Sequence, residues 1–179
     1  MLPSIDLRIQ NLVKALQEVV VPAIPERERL ARDQAMLVIG HLRMIAVQWK
    51  SALLFEAQSL DGLLTLADKL CAAANVGMKK EVCQRLKTEI AQSRGIDRTN
   101  GEAIQGGLVR VGSIIDEVIR GDEGQDRIPA ELLTLVLEYG EYQAWRERTW
   151  FQDNMLDPGR ADLPSISEML AKSPPARSA

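Results

Sequence analysis

Residues 26–56, ERERLARDQAMLVIGHLRMIAVQWKSALLFE, decide the fold. The stretch holds no proline, and Pro25 stands where a first helical residue belongs, so one helix is expected to run through it without a breaker. Taken at steps of seven, Ala31-Val38-Ile45-Ala52, Leu30-Leu37-Met44, Leu42-Trp49, Ile39-Ala46-Leu53 and Val47-Leu54 occupy most of the circumference, while Arg29, Arg43 and Lys50 share one narrow line. A helix that is apolar nearly all round is normally enclosed by others. This predicts a long, largely buried second helix that acts as the hub of the molecule.

One further line reads Arg27-Gln34-His41-Gln48 and falls between two of the apolar lines. An unpartnered polar group in such a place costs roughly 1–3 kcal/mol, so Gln34, His41 and Gln48, with Trp49 alongside, need a reason to be there. Three are open. They would form a satisfied network that fixes which helices pair, line a pocket for a small apolar molecule, or meet a second copy of the chain along this line.

Working outward, helical spacing continues in both directions. Ile5, Ile9, Leu12, Leu16 and Val19 make a first amphipathic helix over about residues 4–21, with Ser4 as its cap and Pro22 and Pro25 as its stop. An unbroken rod from Pro25 to Ala74 would measure about 75 Å, against a radius of gyration near 16 Å for a compact chain of this size, so a bend is placed at Ser59–Gly62. A third helix carries Leu60, Leu63, Leu64, Ala67 and Leu70 and stops at Asn75-Val76-Gly77. A fourth covers about 78–93. A fifth, about 99–120, holds Gly106, Gly107 and Gly112, each costing about 1 kcal/mol of helix propensity and suggesting close approach to a neighbour. A strand at residues 108–115 is the alternative there. This helix ends at Gly121 in the acidic loop GDEGQD, and a sixth runs from Pro129 to about residue 154.

The fold class is therefore all-α: a bundle of about six helices forming one domain over residues 1–156. Residues 157–179 form a flexible tail with a short docking helix around Ile166, Met169 and Leu170, for which Ser165 and Glu168 have capping-box spacing. The last residues, SPPARSA, are expected to be mobile.

Five of the seven aromatic residues, Tyr139, Tyr142, Trp145, Trp150 and Phe151, fall within the sixth helix and its end. Tyr139 and Trp150 continue the core line, whereas Tyr142 and Trp145 lie on a flank with Arg146 between the two sets, placed for a cation–π contact. Tyr142, Trp145 and Arg146 are thus a candidate interface. Charge is also uneven: residues 79–98 are rich in Lys and Arg, and residues 116–131 in Asp and Glu, so the two stretches would face solvent or each other.

Composition excludes much. With 22 Lys and Arg against 25 Asp and Glu, the net charge of -3 gives no bulk attraction to nucleic acid, and no base-reading module is recognisable. Two cysteines, Cys71 and Cys83, cannot build a secreted-type disulfide scaffold, and MLPSIDLRIQ lacks the form of a signal peptide, so a reduced cytoplasmic chain with no membrane span is expected. The single histidine excludes a two-metal bundle site, since Val38 stands three residues before His41, and no zinc spacing or serine-hydrolase elbow is present. GEAIQGG lacks the Lys-Ser/Thr that a phosphate loop requires. No metal, cofactor or catalytic residue is assigned. The expected function is a non-catalytic helical interaction protein that self-associates as a homo-oligomer and docks a protein partner through helix six and the tail. The alternative is a small apolar-ligand binder with its pocket around the central helix.

Overall fold

The structure, a computed structural model, describes residues 3–73, 78–121, 128–154 and 157–172. Among these, the regular elements are all helical, including residues 108–115, where a strand was the alternative. Helix α1, Ile5–Ala15, is capped by Ser4, whose hydroxyl accepts from the Leu7 N–H at 3.2 Å. It continues through a π-type turn, Leu16–Val20, into a last turn, Val21–Ala23. Pro22 has no N–H to give to the helix, and the widened turn ahead of it accommodates the ring without ending the helix there.

The long second helix is two helices. Helix α2, Arg29–Gln48, is separated by a turn at residues 49–51 from α3, Ala52–Ala72. The expected bend at Ser59–Gly62 is continuous α3. There Ser59 Oγ bonds back to the Phe55 carbonyl at 2.9 Å, and Gly62 faces Tyr139, so that a Cβ would sit 3.6 Å from its ring. The turn chemistry of Ser-Leu-Asp-Gly is thus absorbed by helix packing. The actual break contains neither glycine nor proline and is held from outside: Trp49 Nε1 donates to Asp6 Oδ1 at 2.8 Å and Lys50 Nζ pairs with Asp6 Oδ2 at 2.7 Å. One carboxylate at the start of α1 grips two of the three residues of the turn.

Helix α4, Lys80–Arg94, is followed by α5, Gly101–Arg120, capped by Asn100, whose Oδ1 accepts from the Ala103 N–H at 3.0 Å. α5 ends at Gly121 with φ 60°, a left-handed backbone that favours glycine. Helix α6 spans Ala130–Trp150, two short 3-10 turns follow at Gln152–Asn154 and Arg160–Asp162, and α7 is Ile166–Ala171. The stop expected at residues 75–77, most of the acidic loop at 121–126 and the mobile end at 173–179 lie outside the described residues.

The chain forms two compact units, Met1–Ser51 with Arg148–Ile166, and Ala52–Glu147 with Ser167–Ala179. In the first, α1 packs on α2, with Ile9, Val21, Ile39, Met44 and Trp150 buried. In the second, α3, α4 and α5 pack on one another around Leu60, Leu64, Ala67, Leu70, Leu86, Ile90, Ile104 and Val111, with Leu132 of α6 in the same cluster. The hub is therefore α3. Nine of its residues are buried, from Ala57 to Leu70, whereas α2 buries only Ile39 and Met44. α2 is apolar on two sides, and on one of them Leu30 and Leu37 are exposed, so its all-round hydrophobicity does not signal enclosure.

Close approach explains one of the three α5 glycines. A Cβ on Gly107 would lie 2.9 Å from Ile96 Cδ1 and 3.4 Å from both Leu60 methyls, whereas Gly112 has nothing within 4 Å. The basic and acidic stretches meet inside the second unit, where Arg85 Nη1 donates to both oxygens of Glu117, at 2.8 and 3.0 Å.

Candidate interaction surface

α2 packs on α1, and one line along it, Ala35, Ile39, Leu42 and Ala46, is buried or half-buried. At 100° per residue, the opposite side carries Leu30, Gln34, Leu37 and His41, with Val38 and Ile45 on its flank, all exposed: Leu30 by 73%, Leu37 by 55%, Val38 by 48% and Ile45 by 46%. Gln34 and His41 thus stand in solvent amid large apolar side chains. The third member of their line is placed differently. Gln48 is half-buried, and its Nε2 donates to the Trp150 carbonyl at 2.6 Å. Near it Met44 is buried, and the Gln152–Asn154 turn packs on α2. One continuous stripe is therefore covered at its C-terminal end by residues 150–154 of the same unit and uncovered from Leu30 to His41.

Trp49 is half-buried and lies outside the stripe, tied to Asp6. The Lys50 and Trp49 hydrogen bonds hold the Asp6 carboxyl below the usual carboxylate range. A groove of about 310 Å³ in this unit is lined by Ile9, Gln10, Val13, Gln17, Arg43 and Ala46, among others, and includes none of Gln34, His41, Gln48 or Trp49.

The α6 candidates belong to the second unit. Arg146 is fully buried, at 0% exposure. Its guanidinium donates to Gln58 Oε1 at 3.2 Å and to the Phe55 carbonyl at 2.9 Å, with Ser59 Oγ at 3.4 Å. It lies 4.8 Å from the Phe55 ring centroid and 5.8 Å from that of Tyr142, which confirms the expected cation–π geometry and adds a second ring. No carboxylate among the described residues pairs with it. A planar, weakly hydrated cation is the one best able to occupy such a place on neutral acceptors and ring faces. Gln58 passes the connection on, donating from Nε2 to the Leu170 carbonyl at 2.8 Å, while Met169 and Leu170 of α7 are buried. Tyr142 and Trp145 are half-buried with ring centroids 6.0 Å apart, and Lys172 lies over Trp145 at 5.7 Å. The Tyr142 hydroxyl and Arg146 Nε are buried without a hydrogen-bond partner among the described residues.

Asp6, Phe55 and Gln58 are residues that periodicity did not single out. Nothing in their local sequence marks them, because each acts on a group far away in the chain. Cys71 Sγ lies 4.0 Å from the Cys83 carbonyl, and burial, followed by the neighbouring Cys83, pushes the Cys71 thiol up to about 11. Among the described residues no cluster of three His, Cys, Asp or Glu side chains could hold a metal ion, and no helix is long and apolar enough to cross a membrane. The chain matches no protein-family model, no curated protein and no solved structure.

Proposed function

We propose that this chain is a non-catalytic helical interaction protein that self-associates, and that its contact surface is the uncovered side of α2. The observation that carries this is the run of four large apolar side chains, Leu30, Leu37, Val38 and Ile45, left about half or more exposed on one helix face. Scattered exposed hydrophobics are ordinary, but a contiguous run of them on a rigid element marks an association site. Docking of a partner through α6 and the tail would have to displace α7, since the buried Met169 and Leu170 and the Gln58 bond fasten residues 167–171 to the second unit.

Sedimentation equilibrium tests the proposal. The wild type should be oligomeric at micromolar concentration, and Leu37→Lys, a change at an exposed site, should weaken association by roughly 10-fold or more while leaving the circular dichroism spectrum intact. A wild-type monomer, or an unchanged association constant in the variant, would overturn it.

A further inference from the structure

We propose that α2 pairs in parallel with α2 of a second copy, along the seam Leu30-Gln34-Leu37-His41, and that Gln34 and His41 set the register of that pair. The inference rests on self-association as proposed above and adds its geometry.

The seam residues are spaced by four, three and four, and the same alternation continues through Met44 to Gln48. This is the heptad pattern of a helix pair, with Leu30, Leu37 and Met44 on one core line and Gln34, His41 and Gln48 on the other. The chain itself uses the end of the seam as a packing surface: Gln48 bonds to the Trp150 carbonyl, the Gln152–Asn154 turn packs on α2, and Met44 is buried. Only the section from Leu30 to His41 is open.

Three features fit a second copy. The head of the seam carries no net charge, with Glu26, Glu28 and Asp33 against Arg27, Arg29 and Arg32, and Arg27, the next residue on the Gln34-His41 line, precedes α2 and pairs with Glu28 of its own chain at 3.3 Å. A glutamine amide and a neutral imidazole each carry a donor and an acceptor, so each satisfies its own twin across a two-fold axis. Val38 and Ile45 flank the seam and widen its apolar contact beyond the two leucines.

Direction follows from the same chemistry. In a parallel pair Gln34 faces Gln34 and His41 faces His41, with leucine on leucine between them. An antiparallel pair centred on the open section sets Gln34 against Leu37 and His41 against Leu30, stranding a polar group at each level. A lone polar pair within an apolar seam is a known means of fixing alignment. The open section is short, about 17 Å, so the association is expected to be reversible.

Cysteine cross-linking on the full chain decides the matter. Seam residues of a parallel pair come within reach of a disulfide, so Gln34→Cys, treated with oxidised glutathione, should give a covalent dimer. Met36→Cys, on a different side of the exposed helix, should give roughly 10-fold less. The native cysteines are both in the other unit, and the untouched chain is the blank. If the protein sediments as an oligomer but Gln34→Cys links no better than Met36→Cys, or links only to a Leu37→Cys chain, the parallel seam is refuted and self-association stands. A monomer refutes both.

Discussion

Arg146→Met should leave the second unit within about 1.5 kcal/mol of its original stability, while Arg146→Ala should cost about 2–5 kcal/mol. The difference follows from what surrounds the guanidinium. Its removal forfeits two good charge-assisted hydrogen bonds, to Gln58 and to the Phe55 carbonyl, each worth about 1.5–3 kcal/mol. It also forfeits the stacking on Phe55, about 0.5–2 kcal/mol. Against this, the side chain is fully buried without a carboxylate partner among the described residues, and keeping a cation there costs several kcal/mol of lost hydration. Its stranded Nε adds about 1–3 kcal/mol. The two sides nearly cancel. The Phe55 carbonyl, moreover, keeps Ser59 Oγ as a donor. Methionine refills the volume; alanine leaves a cavity. Arg146→Lys keeps the charge without the planar fork and should fall below the methionine variant. Urea denaturation, with hydrogen exchange at α7 as a second readout, gives the ranking. A methionine variant as unstable as the alanine one would mean that the hydrogen bonds outweigh desolvation and that the cancellation is false.

Gly112→Ala should stabilise by about 0.5–1 kcal/mol through helix propensity. Gly107→Ala should destabilise, because overpacking against Ile96 and the fully buried Leu60 costs about 1–3 kcal/mol; thermal melts that rank the two the other way would refute the close-packing assignment. Asp6 is held below its ordinary range by Lys50 and Trp49, and Asp157 by Arg148 and the Gly159 N–H. Folded values depressed in this way contribute stability that is present above about pH 4 and lost as the pH falls through the folded values. The combined Asp6→Asn and Asp157→Asn variant should therefore lose less stability than the parent on acidification, as followed by tryptophan fluorescence. With its thiol pushed from 9.0 to about 11, Cys71 should alkylate with iodoacetamide at pH 8 roughly 100-fold more slowly than in the denatured chain. Equal rates by mass spectrometry would show that the thiol is not held protonated.

Helix identity and most ends were legible because they depend on neighbours in sequence. Ser4 and Asn100 cap where such residues should, and Gly121 closes α5 with the backbone only glycine favours. The break at residues 49–51 was not legible. It depends on Asp6, more than forty residues away, and Ser-Leu-Asp-Gly offered a stronger local signal at the wrong place. The shift of the hub from α2 to α3 has a related cause: an apolar circumference does not say whether a given side faces its own chain, another molecule or solvent. Arg146 shows the opposite case. The wheel placed it between the aromatic sets, and it does lie against Tyr142, yet its depth depends on Phe55, Gln58 and Ser59 of another helix.

The division of the chain sets terms for any dissection of this protein. The backbone passes from one unit to the other after Ser51, after Glu147 in the last turn of α6, and after Ile166 at the start of α7. Neither unit can be obtained by cutting the gene once. A protease nick at any single crossing leaves the two units still joined through the remaining two, so a clean separation calls for a designed splice that joins residue 51 to residue 148.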